Sequence, residues 1–184
     1  QFCREHDVPY LGLCYGMQLA VVEFARNVCG LHGAHTTEVD PKTPYPVIDM
    51  LPEQRTVKDK SGTMRLGTYG ATLKDGSLVF EVYTKTGRLD RDQASLGQMR
   101  DGDHFRLGKT PLHNMILERH RHRYEQNPQF IRQLEQAGLV FSGYHQRDDG
   151  TKLMEFIELP KTKHPFFVAT QSHPCFKSTL LDPA

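Results

Sequence analysis

The sequence predicts an α/β fold built as one domain. Two stretches carry that expectation. The first is "PYLGLCYGMQLAVVEFARNV", in which a short apolar run passes straight into a helical pattern; the second is "FFVATQSHP", a continuous apolar run that ends in polar residues. Runs of this kind, bounded by turn formers, suit buried strands, and the sheet they form needs helical cover. With 184 residues the chain is long enough to bury a substantial core.

Taken in order, residues Gln1 to Asp7 read as the end of a helix and Pro9 to Leu13 as a strand. From Gly16 to Val28 a helix follows, with Leu19, Ala20, Val22, Phe24, Ala25 and Val28 leaving only a narrow polar strip of Glu23, Arg26 and Asn27. Such a helix is expected to be largely buried, with Gly30 ending it. Between Thr36 and Pro52, the prolines Pro41, Pro44, Pro46 and Pro52 predict a long irregular connection. Strands are expected around Met64 to Leu66, Ala71 to Leu73 and Leu78 to Val82, and the polar stretch Gly87 to Lys109 reads as a mobile insertion. Asn127 and Pro128 open a helix with Ile131, Leu134 and Ala137 on one face, and Gly138 stops it. Two strands then surround a turn at Asp149-Gly150, and the strand "FFVATQ" leads to His173.

Composition narrows the classes of function. Lys plus Arg (23) balance Asp plus Glu (22), so no overall field favours nucleic acid or an acidic membrane. Four scattered cysteines lack metal-ligand spacing and the density of a disulfide scaffold, which points to a reducing cytoplasm and to no metal in this domain. No apolar run approaches the roughly 20 residues of a membrane helix, and no signal-peptide pattern is present.

Gly12-Leu13-Cys14-Tyr15-Gly16 has the spacing of a nucleophile elbow, a tight turn that lifts a reactive side chain above the end of a sheet. The following helix N-terminus carries about half a positive elementary charge and favours a thiolate. The backbone N–H of Tyr15 would face an oxyanion. The same pentapeptide also suits a small buried thiol in an ordinary βα unit. His173, at the end of a buried strand, is placed to exchange a proton with the thiol. In "RHRHRY", an extended backbone would put Arg119, Arg121 and Arg123 on one face and His120, His122 and Tyr124 on the other. Such a basic face can bind phosphate or RNA, but charge runs are usually solvated surface. Glu118 and Glu125 read as strand-surface or helix-flanking carboxylates.

Together these segments resemble the class I, or triad, glutamine amidotransferases, and "GTMRLG" and "ERHRHRYEQNP" resemble their CTP synthase branch. The resemblance runs from about Pro9 to Ser178. It implies an open, mostly parallel α/β sheet with helices on both faces and a small β-hairpin layer, spanning residues 1–184 as a glutaminase domain. It further implies that Cys14 attacks the amide of L-glutamine, that His173 is general base and acid, and that Tyr15, Gly16, Met17, Gln18, Glu38 and Arg123 bind substrate. Glu38 would meet the ammonium and Arg123 the carboxylate, since a guanidinium fork matches a carboxylate.

In that family a synthetase domain of the same polypeptide uses ATP and Mg to aminate UTP to CTP, with GTP as effector, in a cytoplasmic homo-oligomer. Arg119 and Arg121 would serve a domain interface or GTP. Two features depart from the family. Cys175 stands where its triad has glutamate, and neither the upstream glycine-rich loop nor the final helix occurs within these residues. Two other readings stay open: a pseudo-glutaminase kept for regulation or assembly, and a different γ-glutamyl cysteine hydrolase.

Overall fold

The computed structural model describes residues 1–51, 64–98 and 106–181. A helical turn α1 (Phe2–Glu5) precedes strand β1 (Tyr10–Leu13), which runs into helix α2 (Tyr15–Asn27). Met17, Val21, Phe24 and Ala25 recur at helical spacing and are buried, whereas Leu19 (41% exposed) and Val28 (39% exposed) are not. The helix is thus largely buried, as expected, except that Leu19 and Val28 face solvent instead of the core. Gly30 takes φ +69° just beyond it, as a helix-terminating glycine does. Arg4 grips Glu23 through Nε and Nη2, tying α1 to α2.

Two expected strands merge into β4 (Arg65–Leu73), which pairs antiparallel with β5 (Met115–His122). The expected strand at Leu78 to Val82 is instead helix α3 (Leu78–Lys85). Ser77 Oγ accepts the Phe80 N–H, and the Glu158 carboxylate accepts those of Leu78 and Val79 at 2.8 and 3.0 Å. Capping by a residue 80 positions away satisfies N–H groups that a helix start leaves open. No local pattern could reveal it. The insertion read as mobile contains an ordered helix, α4 (Arg88–Leu96). Asp92 is buried on it and accepts the Leu117 N–H, while Gln93 donates to the Leu112 and Met115 carbonyls, so α4 is fastened onto β5. Residues 99–105 of that insertion lie outside the described residues, as do Pro52 and the start of "GTMRLG".

Helix α5 (Pro128–Gln136) forms as expected, with Asn127 Oδ1 accepting the Gln129 N–H and Leu134 buried. After it, β7 (Val140–Gln146) and β8 (Lys152–Glu158) form an antiparallel hairpin around Gly150, and β9 (Phe167–Thr170) returns beside β8. The main sheet has the order β1-β9-β8-β7-β4-β5. Consecutive β8 residues Phe156 and Ile157 belong to cores on opposite faces, as do Phe167 and Val168 of β9. One face is packed by α2 and α5, the other by α3 and α4.

The α/β class and two-sided helical cover are as expected, but among the described strands only β1 and β9 pair in parallel within this sheet. The connections from β7 to β8 and from β8 to β9 are too short for crossover helices, and this forces antiparallel neighbours. The expected hairpin layer is a small three-stranded sheet of β2 (His35–Thr36), β3 (Pro46–Asp49) and β6 (Glu125–Gln126). Its β3 arises inside the segment read as irregular, because Pro46 stands at a strand's first position, where a missing N–H is harmless. Among the described residues no helix is long and apolar enough to cross a membrane.

Candidate functional site

The turn between β1 and α2 is built as an elbow. Cys14 adopts φ 50° and ψ −103°, a left-handed backbone that costs about 1–3 kcal/mol for a non-glycine residue. Its N–H donates to the Thr170 carbonyl at 2.7 Å, and its carbonyl accepts the first helical bond from Gln18. The two flanking glycines contribute unequally. A Cβ on Gly12 would lie 2.8 Å from the Tyr10 ring and 2.9 Å from the Gly16 carbonyl carbon, while one on Gly16 would meet only the Tyr10 hydroxyl at 3.6 Å. Gly12 is the position that permits the close approach.

A cavity of about 450 Å³ opens above the elbow, lined by Cys14, Tyr15, Gln18, Glu38 and Arg123 together with Met64, Arg121, His122 and Tyr124. Five of the sequence-predicted site residues thus meet here, drawn from β1, α2, the segment after β2 and the end of β5. Gly16 lies beside them, its carbonyl accepting from the Tyr10 hydroxyl at 2.7 Å. Met17 differs, since its side chain is fully buried in the core and leaves only its backbone for a ligand. "RHRHRY" alternates as predicted, with Arg119 and Arg121 exposed and His120 and His122 buried.

His173 emerges at the same end of the sheet as Cys14, because β1 and β9 run parallel with Leu13 opposite Thr170. Its N–H donates to the Arg119 carbonyl, and its ring stacks on Phe176 at 4.7 Å. Nε2 is buried without a hydrogen-bond partner among the described residues. Burial, followed by the Arg121 charge, holds this imidazole below its ordinary pKa, so it is neutral and able to accept a proton near neutral pH. Cys175 sits exposed on a 3₁₀ turn (Pro174–Phe176) and lines a different, largely apolar cavity with Leu13, Glu118 and Thr170. Among the described residues no hydrogen bond joins Cys175 to His173, or His173 to Cys14.

The thiol is pushed upward in pKa, primarily by burial and further by the Glu125 and Glu38 charges, against the opposing backbone N–H of Tyr15 and the amide of Gln171. The helix terminus is therefore outweighed, contrary to the expectation of a favoured thiolate. Behind the cavity wall, Arg65 pairs with Glu125 at 3.2 Å and Glu155 at 2.7 Å, stacking over the Tyr69 ring. His120 and His122 adjoin this cluster, 3.0 Å apart between ring nitrogens, and burial holds both well below the ordinary histidine range. Burial pushes Glu125 up to about 8, with the Arg65 charge opposing.

Glu118 and Glu125 are thus buried rather than on a strand surface, and the Tyr83 hydroxyl donates to Glu118 at 3.0 Å. Arg65, Gln171 and Glu155 went unnoticed in the sequence because isolated polar residues in apolar strands carry no periodic signal. Among the described residues no group of three or more His, Cys, Asp or Glu side chains is arranged to hold a metal.

The elbow cysteine borders the cavity at one end of an α/β sheet, and the whole chain, residues 1–184, matches the family model for class-I glutamine amidotransferases. The chain belongs to that family. Within it, the sequence is similar to the CTP synthases of Pyrococcus abyssi (46% identical over 184 residues, 100% of this chain) and Methanococcus aeolicus (48% over 178 residues, 97% of this chain). The chain spans about 28% and 27% of the lengths of these curated relatives. The fold is similar to the glutaminase domain of Trypanosoma brucei CTPS solved with bound acivicin, with a TM-score of 0.75 and 30% identity over 99% of this chain and 58% of that one.

Proposed function

We propose that this chain is the glutaminase domain of a CTP synthase, hydrolysing L-glutamine to glutamate and ammonia. The observation that carries the reading is the single cavity that gathers Cys14, Glu38 and Arg123. Cys14 Sγ gives up its proton to His173 and forms a bond to the side-chain carboxamide carbon, and the carbonyl electron pair moves onto oxygen. The Tyr15 N–H stabilises that oxyanion. Collapse expels ammonia with a proton delivered by His173, leaving a γ-glutamyl thioester. Water, deprotonated by His173, then attacks the thioester carbonyl, and the thiolate leaves as glutamate forms.

Glu38 meets the substrate ammonium and Arg123 its carboxylate, while Tyr15, Gly16, the Met17 backbone and Gln18 complete the pocket. Cys175 occupies the position at which a triad carboxylate would orient His173. We further propose that the ammonia passes to a synthetase domain of the same polypeptide, which uses ATP and Mg to aminate UTP, with GTP as effector, in a cytoplasmic homo-oligomer.

Acivicin treatment of the full-length protein followed by peptide mass spectrometry tests this reading. Selective modification of Cys14, prevented by excess glutamine and absent in Cys14→Ser, is the expected result. A folded protein that shows neither labelling nor glutamate release would overturn it in favour of a pseudo-glutaminase, a reading favoured by the lack, among the described residues, of a hydrogen bond between Cys175 and His173.

A further inference from the structure

Cys14 Sγ accepts a hydrogen bond from Gln171, a side chain outside the set that family resemblance assigns. Gln171 follows β9, is fully buried, and places its Nε2 3.7 Å from the sulfur. Its backbone N–H donates to the Glu155 carbonyl at 2.9 Å, anchoring the residue to β8. Its Oε1 accepts from Gln126 Nε2 at 3.1 Å and from Gln18 Nε2 at 3.4 Å. Gln18 Nε2 also donates to the Tyr124 carbonyl, which can only accept. That carbonyl settles the orientation of the Gln18 amide, and Gln18 in turn settles that of Gln171. The NH₂ of Gln171 is therefore the end that faces sulfur.

We infer that Gln171 is a positioning residue for the nucleophile: its amide N–H, held in place by Gln18 and Gln126, aims Cys14 Sγ and stabilises its thiolate. The inference rests on Cys14 acting as proposed above. A hydrogen bond to an ionised acceptor is roughly twice as strong as one to a neutral group, so the contact favours the reactive form over the thiol. The charged and titratable groups around the sulfur come from several elements. Glu38 lies after β2, Arg121 and His122 on β5, Arg123 and Tyr124 just beyond it. Glu125 lies on β6, and His173 follows β9. Burial, Glu125 and Glu38 all oppose thiolate formation, and Gln171 is a neutral donor whose help does not vary with pH.

The test is the pH profile of Cys14 alkylation by iodoacetamide, followed by peptide mass spectrometry, in the full-length protein. Gln171→Met keeps the volume and removes the donor. It is expected to move the alkylation midpoint up by about one pH unit, which slows the reaction about tenfold near pH 7, and to lower kcat for glutamine more than it changes KM. Gln171→Glu adds a negative charge and should move the midpoint further. Gln126→Met loosens the Gln171 amide and should shift it less, in the same direction. A merely structural role would lower thermal stability and leave the midpoint in place. An unchanged midpoint in folded Gln171→Met overturns the inference; where that variant does not fold, an unchanged midpoint in Gln126→Met does so. Failure of acivicin to label Cys14 in the unaltered protein would instead overturn the glutaminase reading, while the alkylation profile stayed readable.

Discussion

The Tyr10 hydroxyl donates to the Gly16 carbonyl at 2.7 Å across the base of the elbow, clamping the end of β1 to the first turn of α2. The same ring occupies the space a side chain at residue 12 would need. Gly12→Ala is therefore expected to destabilise the fold by about 1–3 kcal/mol, through overpacking against backbone that cannot move freely. Tyr10→Phe, which loses only the hydrogen bond, should cost about 1 kcal/mol. Urea denaturation of both variants measures the difference, and a Gly12→Ala as stable as the parent would contradict the clamp.

Glu158 starts helix α3 from strand β8 by accepting two backbone N–H groups while 4% exposed. Glu158→Leu should remove about 1–3 kcal/mol by leaving those donors buried and unpaired. Hydrogen exchange would show the loss concentrated at the start of α3. Uniform protection in the variant would mean that Ser77 caps the helix adequately alone.

The substrate anchors make a kinetic prediction. Arg123→Ala should lower kcat/KM for glutamine by about 30-fold, the equivalent of roughly 2 kcal/mol for removing one partner of a charge pair, with most of the change in KM. Arg123→Lys should recover part of it, since a point charge keeps the attraction but loses the fork. Steady-state glutamate release at varied glutamine checks this, and an unchanged KM would remove Arg123 from the carboxylate site.

His173 stacks on Phe176 without a carboxylate from Cys175. Cys175→Glu is expected to raise kcat about tenfold by orienting the imidazole and stabilising its charged form. A rate equal to that of the parent would show that the stacking already supplies the orientation.

The contribution of His145 to stability should decline in mild acid. His145 donates from Nδ1 to the Gly70 carbonyl, and burial holds its pKa at about 4, below the ordinary 6.5. Between those values the unfolded chain binds more protons, so stability present above about pH 6.5 is lost as pH falls through about 4. The loss amounts to at most about 3 kcal/mol. His120 and His122 act in the same direction. Glu125, raised to about 8, acts in the opposite sense and favours the folded state as pH falls from 8 toward 4.5. Burial raises Glu118 and Glu155 in the same sense as Glu125, so the readable outcome is a difference between variants: from pH 7 to pH 5 the urea midpoint should lose less, or gain more, in His145→Gln than in the parent.

Part of the candidate site was legible in the chain. Gly12, Cys14 and His173 stand out by local spacing, but the pentapeptide suits a small buried thiol as well, and Glu38 and Arg123 came only from the family resemblance. Helix α5 was equally legible, because Asn127, Pro128 and Gly138 each mark a boundary by backbone preference. Helix α3 was not. Its short apolar run fits a strand or a helix, and a carboxylate from β8 makes the choice.

The sequence by itself determined the α/β class, the elbow and the alternation of Arg119 to His122, because these depend on spacing along a few neighbouring residues. Only the tertiary structure decided that Cys175 turns toward a second cavity, that α4 is fastened to β5, and that Gln171 reaches the Cys14 sulfur. Those relationships join residues far apart in the chain, up to 157 positions in the last case, and depend on how strands are paired, which no local pattern encodes.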